Sequence, residues 1–287
     1  MRLLITKSAG FCFGVKRTVE LALKESAQKG KIYTFGPIIH NPQVVKYLET
    51  QNIHATENIS EIPESSTVVI RTHGATIDDL NGLRKSNLTV IDGTCTFVLR
   101  PQRMVKGLSE QGYFIVIVGD EKHPEIKGVK SRADGNVMVI NPSNTNFKIP
   151  KAKKIAVIAQ TTLPMEDFES VIRRLRDSTN DIKVVNTICR DTSIRQNESK
   201  RLAKKTDVVL VIGGRNSANT NKLTRLCREI NRKTYHIESE EEIKSSWVEN
   251  ADSAGITAGA STPDWLIERI IKRIKEVAAV ESTEAVD

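Results

Sequence analysis

Three cysteines in this chain recur in one local pattern, and the residues at fixed spacing after each of them narrow the folds available. Cys12 lies in Gly10-Phe11-Cys12-Phe13-Gly14, after the apolar run 3–6 and before a helical pattern. Cys95 follows the run 88–92 and Cys189 follows 182–185, each again ahead of a helical pattern. A glycine that closes an apolar run stands 24 positions after each cysteine, at Gly36, Gly119 and Gly213. Twenty-eight positions after each cysteine stand His40, His123 and Ser217. Offsets shared by three copies identify a repeated architecture.

Between these marks, short apolar runs alternate with 3.6-period segments from end to end. Strands are expected at 3–6, 31–35, 52–55, 67–71, 88–92, 113–118, 137–140, 154–159, 182–185, 207–212, 233–237 and 254–257. The helical segments between them include 15–29, 76–85, 97–111 and 166–176, and Pro263 opens a last helix through 275. This alternation predicts right-handed βαβ units and parallel sheets. The expected fold is α/β, with three similar small domains around a pseudo-threefold axis and a central cavity. The strand before each cysteine should join the sheet of the preceding repeat. That places the domains at 13–95, 96–188 and 189–287, the third closed by the N-terminal strand in 1–12. The acidic tail from about Val280 is expected to be disordered.

In parallel sheets, ligands bind beyond the carboxyl ends of the strands. The polar residues at those ends are the three cysteines with His40, His73, His123, Glu125, Thr161, Thr162, Ser217, Asn219 and Ser261. Three loop cysteines form a ligand set that leaves a metal position open, as catalytic sites do. Thiolates select zinc, copper(I) or iron–sulfur clusters. Zinc satisfies the donor chemistry, but no close Cys-x2-Cys pair is present. Separations of 83 and 94 residues suit a larger centre, so a cluster with one iron not bound by protein is the more natural occupant. Cys227 lies in a helical pattern and reads as a packing residue. His40, His73, Ser217, Asn219 and Ser261 are donors without fixed negative charge, several at helix starts, where anions are favoured. Glu125 is the one carboxylate expected in that cavity, in a proton-transfer role.

The formal charge of +8 fits an anionic ligand or an acidic protein partner, and aromatics at 5% leave few platforms for stacking nucleic-acid bases. No apolar run reaches the ~20 residues of a membrane span. The first strand runs directly into the cysteine loop with no room for a signal or transit peptide, so a cytoplasmic protein is expected unless the chain has been trimmed.

These motifs, in order, resemble the 4-hydroxy-3-methylbut-2-enyl diphosphate reductases, the last enzyme of the non-mevalonate isoprenoid pathway. The resemblance is carried by Gly10-Phe11-Cys12-Phe13-Gly14-Val15, Gly36-Pro37-Ile38-Ile39-His40-Asn41, Thr72-His73-Gly74 and Gly93-Thr94-Cys95. It continues through His123-Pro124-Glu125, Gln160-Thr161-Thr162-Leu163, Thr187-Ile188-Cys189, Asn216-Ser217-Ala218-Asn219 and Thr257-Ala258-Gly259-Ala260-Ser261. It implies a three-domain trefoil around a [4Fe–4S] cluster on Cys12, Cys95 and Cys189, whose fourth iron takes the substrate's hydroxyl oxygen. It implies a diphosphate site at His40, His73, Ser217, Asn219 and Ser261, with His123 near. Glu125 would supply protons and Thr161 would position the hydroxyl. Two electrons, delivered singly by reduced ferredoxin or flavodoxin, would yield isopentenyl and dimethylallyl diphosphates. Ala218 stands where some members have serine, Thr96 where proline is common, and Asp191 where a small residue is frequent. Two other classes compete. A cluster-dependent dehydratase would turn over without reductant. An iron–sulfur sensor or nucleic-acid binder would bind nucleic acid in a salt-dependent way even after Glu125→Gln.

Overall fold

The structure is a computed structural model that describes residues 1–144, 146–148, 152–176 and 181–286. It contains three parallel sheets in two compact units, as an α/β reading requires. The first unit comprises Met1–Lys16, Ile39–Tyr47 and Arg190–Asp287; the second comprises Arg17–Ile38 and Leu48–Cys189.

The second unit holds two four-stranded sheets. In one, β2 (Ile32–Phe35), β3 (Ile53–Thr56), β4 (Thr67–Ile70) and β5 (Thr89–Asp92) lie in the order β3-β2-β4-β5. In the other, β6 (Phe114–Val118), β7 (Val137–Ile140), β8 (Ile155–Ala159) and β9 (Ile182–Val185) lie in the order β7-β6-β8-β9. The first unit repeats this with β10 (Val208–Ile212), β11 (Thr234–Ile237), β12 (Ser253–Ala258) and β1 (Arg2–Thr6), in the order β11-β10-β12-β1. In each sheet the strand leading to a cysteine, β1, β5 or β9, sits beside the second long strand. β1 pairs with β12 through Leu3 opposite Ala254 and Leu4 opposite Gly255.

The central strands are apolar without alternation because helices cover both faces. In β10, Val208, Leu210 and Ile212 pack with Leu266, Ile270 and Ile274 of α9 (Asp264–Val277). Val209 and Val211 face the other way, onto Leu202 of α7 (Arg190–Lys205) and onto Leu223 and Cys227 of α8 (Ala218–Ile230). In β6, Ile115 and Ile117 pack with Val105 of α4 (Thr96–Glu110) and Ile126 of α5 (Pro124–Lys130). Val116 and Val118 pack with Phe168 and Leu175 of α6 (Met165–Arg176).

Helix starts obey local chemistry. α3 (Ile77–Lys85) begins with a reciprocal capping box between Thr76 and Asp79. α2 (Pro42–Thr50) is capped by Asn41, whose Oδ1 accepts the Gln43 and Val44 N–H groups. α4 runs through Pro101, which denies the Phe97 carbonyl its usual donor. The remaining helix, α1 (Phe13–Lys29), begins directly after Cys12.

The tail departs from expectation. Residues of β13 (Ser282–Val286) pair in parallel with β1, Arg2 opposite Ser282 through Thr6 opposite Val286. The Glu281 N–H also donates to the Met1 carbonyl. Low apolar content argued for disorder, but β1 offers an open edge of backbone groups, and strand pairing needs little side-chain burial. Three one-turn 3-10 helices, at Ile59–Glu61, Glu240–Glu242 and Ser245–Trp247, were not anticipated. No helix among the described residues is long and apolar enough to cross a membrane.

Candidate functional site

The three loop cysteines share one backbone setting. Each stands immediately before a long helix: Cys12 before α1, Cys95 before α4 and Cys189 before α7. Each donates its backbone N–H to the carbonyl two residues past the end of the neighbouring strand. Cys12 reaches Ala260 at 3.2 Å, Cys95 reaches Thr72 at 3.0 Å and Cys189 reaches Thr161 at 2.9 Å. A helix N-terminus favours thiolate through its dipole and its unused N–H groups. The Val15 N–H lies 3.5 Å from Cys12 Sγ. At Cys95, burial raises the thiol pKa, the backbone N–H groups of Phe97 and Val98 draw it down, Glu125 raises it and Arg17 lowers it. Cys227 is a contrast: fully buried within α8, it is pushed up to about 12 by desolvation alone. It is a core thiol, as its helical pattern predicts.

In the second unit the structure brings Glu125, Thr161, His123 and His73 together. Glu125, 1% exposed, enters α5 just behind Pro124. Its carboxylate turns across the gap between β6 and β8, where Oε1 accepts the Thr161 N–H and Oε2 accepts the Thr161 hydroxyl, both at 2.7 Å. Strand order reverses at that gap, the usual place for a ligand in a parallel sheet. Because the Thr161 carbonyl holds the Cys189 N–H, one residue joins the carboxylate to a cysteine loop. His123 caps α5, its Nδ1 accepting the Glu125 N–H at 3.2 Å. A ring used in that way is neutral and carries its proton on Nε2. The His73 and His123 rings stand edge to face, 5.1 Å apart. Thr162 is half-buried beside Thr161.

The first unit holds Cys12, His40, Ser217, Asn219 and Ser261. Ser217 caps α8, its Oγ accepting the Thr220 N–H at 3.3 Å. Asn219 lies in the first turn, and both polar atoms of its amide are buried without a hydrogen-bond partner among the described residues. Ser261 Oγ is buried in the same condition, while the Ser261 carbonyl accepts Asn41 Nδ2 at 3.0 Å. Buried polar groups are otherwise satisfied in native proteins, and donors left unfilled at a helix N-terminus have the chemistry to take an anion. α8 has no acidic residue in its first turn. His40, half-buried, precedes the Asn41 cap.

Sequence reasoning missed several supports of these loops. Asn41 joins the His40 loop to Ser261. Glu198, buried within α7, accepts the Ser8 N–H at 2.9 Å and so ties down the loop that carries Cys12. Arg195, 1% exposed, donates to the Ala258 carbonyl at 2.9 Å and pairs with Asp191 at 3.4 Å. Asp191, which departs from the expected pattern, therefore has a local partner. Gly10 has φ +117°, and a Cβ there would lie 2.6 Å from Asp264 Oδ1. Glycine is demanded there by backbone conformation and by Asp264 together.

The family model described as LytB protein matches residues 3–275. The chain belongs to the LytB family. Among curated LytB relatives, the 4-hydroxy-3-methylbut-2-enyl diphosphate reductase of Geobacter sulfurreducens is 44% identical over 276 residues, covering 96% of this chain and 98% of its own. The reductase of the same name from an Anaeromyxobacter species is 44% identical over 271 residues, 94% of this chain and 95% of that one. A solved structure titled as (E)-4-hydroxy-3-methyl-but-2-enyl diphosphate reductase, the terminal enzyme of the non-mevalonate pathway, matches with TM-score 0.70 and 40% identity. It covers 96% of this chain and 100% of that one. The structure of the corresponding Plasmodium falciparum reductase matches with TM-score 0.89 over 100% of this chain and 92% of that one, and at 24% identity it supports the fold alone.

Proposed function

We propose that this LytB chain is a 4-hydroxy-3-methylbut-2-enyl diphosphate reductase that removes the substrate's allylic hydroxyl in the last step of the non-mevalonate isoprenoid pathway. Two electrons and two protons enter, the C–O bond breaks, the oxygen leaves as water and a C–H bond forms. The products are isopentenyl and dimethylallyl diphosphates. The observation that carries the reading is the Glu125–Thr161 pair, bonded through Thr161 to the Cys189 loop.

Cys12, Cys95 and Cys189 would hold a [4Fe–4S] cluster with one iron left to the substrate. Their donor chemistry fits: three thiols at helix N-termini, with no fourth cysteine in a loop. When bound, this group supplies single electrons and a Lewis-acidic iron for a poor leaving group. Protons come from the chain. Protonated at Oε2, Glu125 would donate to Thr161 Oγ, whose own proton is then free to pass to the departing oxygen. Neutral His123, protonated at Nε2, is suited to donate to a phosphate oxygen. His40, His73, Ser217, Asn219 and Ser261 would take the diphosphate, supported by the unfilled amide of Asn219 and hydroxyl of Ser261. Thr162 would line the same pocket. Electrons would come from reduced ferredoxin or flavodoxin in the cytoplasm. The three sheets support repeats at 13–95, 96–188 and 189–287, the last closed by 1–12.

The test is an anaerobic preparation. Brown protein with about four irons per chain, consuming the allylic diphosphate only when a reductant is present, is the expected result. Consumption without reductant would establish a dehydratase instead.

A further inference from the structure

We propose that the solvent face of α4, from Phe97 through Arg100, Arg103 and Lys106, is the docking surface for an acidic one-electron carrier protein. The inference rests on the reductive reading, which requires electrons one at a time from outside. Each encounter oxidises the carrier by one electron and reduces this chain by one, so two encounters serve one turnover.

Phe97 is 39% exposed and stands two residues after Cys95, itself 7% exposed. A single exposed apolar residue is ordinary. This one heads a row of cations. Thr96, Phe97, Arg100, Arg103 and Lys106 are exposed at helical spacing, while Val98, Pro101, Gln102 and Val105 are buried, so the stripe is one continuous face. Arg100 and Arg103 have no hydrogen-bond or ion-pair partner among the described residues. Arg215 and Arg269, by contrast, are neutralised, the first by Glu238 and Glu242 and the second by Glu240 and Glu241. The one acid on α4, Glu110, lies at its far end, 3.9 Å from Lys106.

Helix stability does not explain this placement, because cations near an N-terminus oppose the macrodipole. The positive field also extends inward. The Arg17 guanidinium donates to the Thr94 carbonyl at 3.3 Å and is felt by the Cys95 thiol. An apolar contact followed by two unpaired arginines, within a turn of a proposed cluster ligand, matches a partner with carboxylates around its redox centre.

The test uses anaerobically prepared holoenzyme and an acidic flavodoxin. Direct titration gives affinity, and turnover with reduced flavodoxin is compared with turnover on dithionite-reduced methyl viologen, which needs no docking face. The double variant Arg100→Glu/Arg103→Glu should weaken flavodoxin binding about tenfold or more and flatten its salt dependence, with viologen-driven turnover unchanged. Phe97→Ser should weaken binding and leave the salt dependence intact. Arg173→Glu, an exposed charge reversal on α6, should do neither. Unchanged affinity in the double variant, equal loss in Arg173→Glu, or equal loss with viologen would overturn the proposal. Wild-type protein that is inactive with both reductants would defeat the functional reading, and the titration would still decide the docking face.

Discussion

A single threonine does much of the organising. Thr161 offers its N–H and hydroxyl to Glu125 and its carbonyl to Cys189, so removing the acid should leave binding intact and stop proton delivery. Glu125→Gln keeps the shape of the side chain and one carbonyl oxygen for Thr161. Turnover should fall by about 10²–10⁴-fold with KM for the allylic diphosphate little changed. Steady-state kinetics with a viologen reductant decide the matter, and full activity would remove Glu125 from the proton path. The loop cysteines, His40, His123 and Ser217 could be picked out from sequence because they stand at strand ends with repeated spacing, whereas His73 and Glu125 were placed by their position after a strand. Glu198 and Asn41 could not be picked out. Their contacts join segments far apart in the chain, Ser8 to Glu198 and Asn41 to Ser261, and no local pattern marks them.

Strands and helices were legible wherever an apolar period was uninterrupted. Element ends moved by a residue or two, and capping residues such as Thr76, His123 and Ser217 fell where their chemistry places them. β13 was illegible because its stability comes from backbone pairing with β1, and its own side chains are mostly exposed. A short edge strand of this kind adds about 1–3 kcal/mol through a few net-favourable hydrogen bonds. Ending the chain at Val280 should therefore lower Tm by about 2–5 °C in a thermal melt. An unchanged Tm would show that β13 contributes nothing to the sheet that carries Cys12.

At the scale of the molecule, the repeat made the three sheets readable, and a cluster held as proposed would link metal binding to folding. The three proposed ligand cysteines are separated by 83 and 94 residues, so the unfolded chain would have to close two long loops to gather them. A group that takes all three thiolates therefore binds the native state and not the unfolded one, and its binding free energy adds to folding stability. Removing the iron anaerobically with a chelator should lower Tm by roughly 5–7 °C, the size expected for about 3–4 kcal/mol of linkage in a chain of this length. Cys12→Ser, Cys95→Ser and Cys189→Ser should each melt near the apo value and gain nothing from iron and sulfide. Cys227→Ser should keep its iron and its response to iron, losing only what a small cavity or an unpaired hydroxyl in the α8 core costs. Iron-dependent stabilisation surviving in any one of the three loop variants would remove that cysteine from the ligand set. Loss of iron in Cys227→Ser would bring a fourth thiol into it and close the open coordination position on which the proposed chemistry depends.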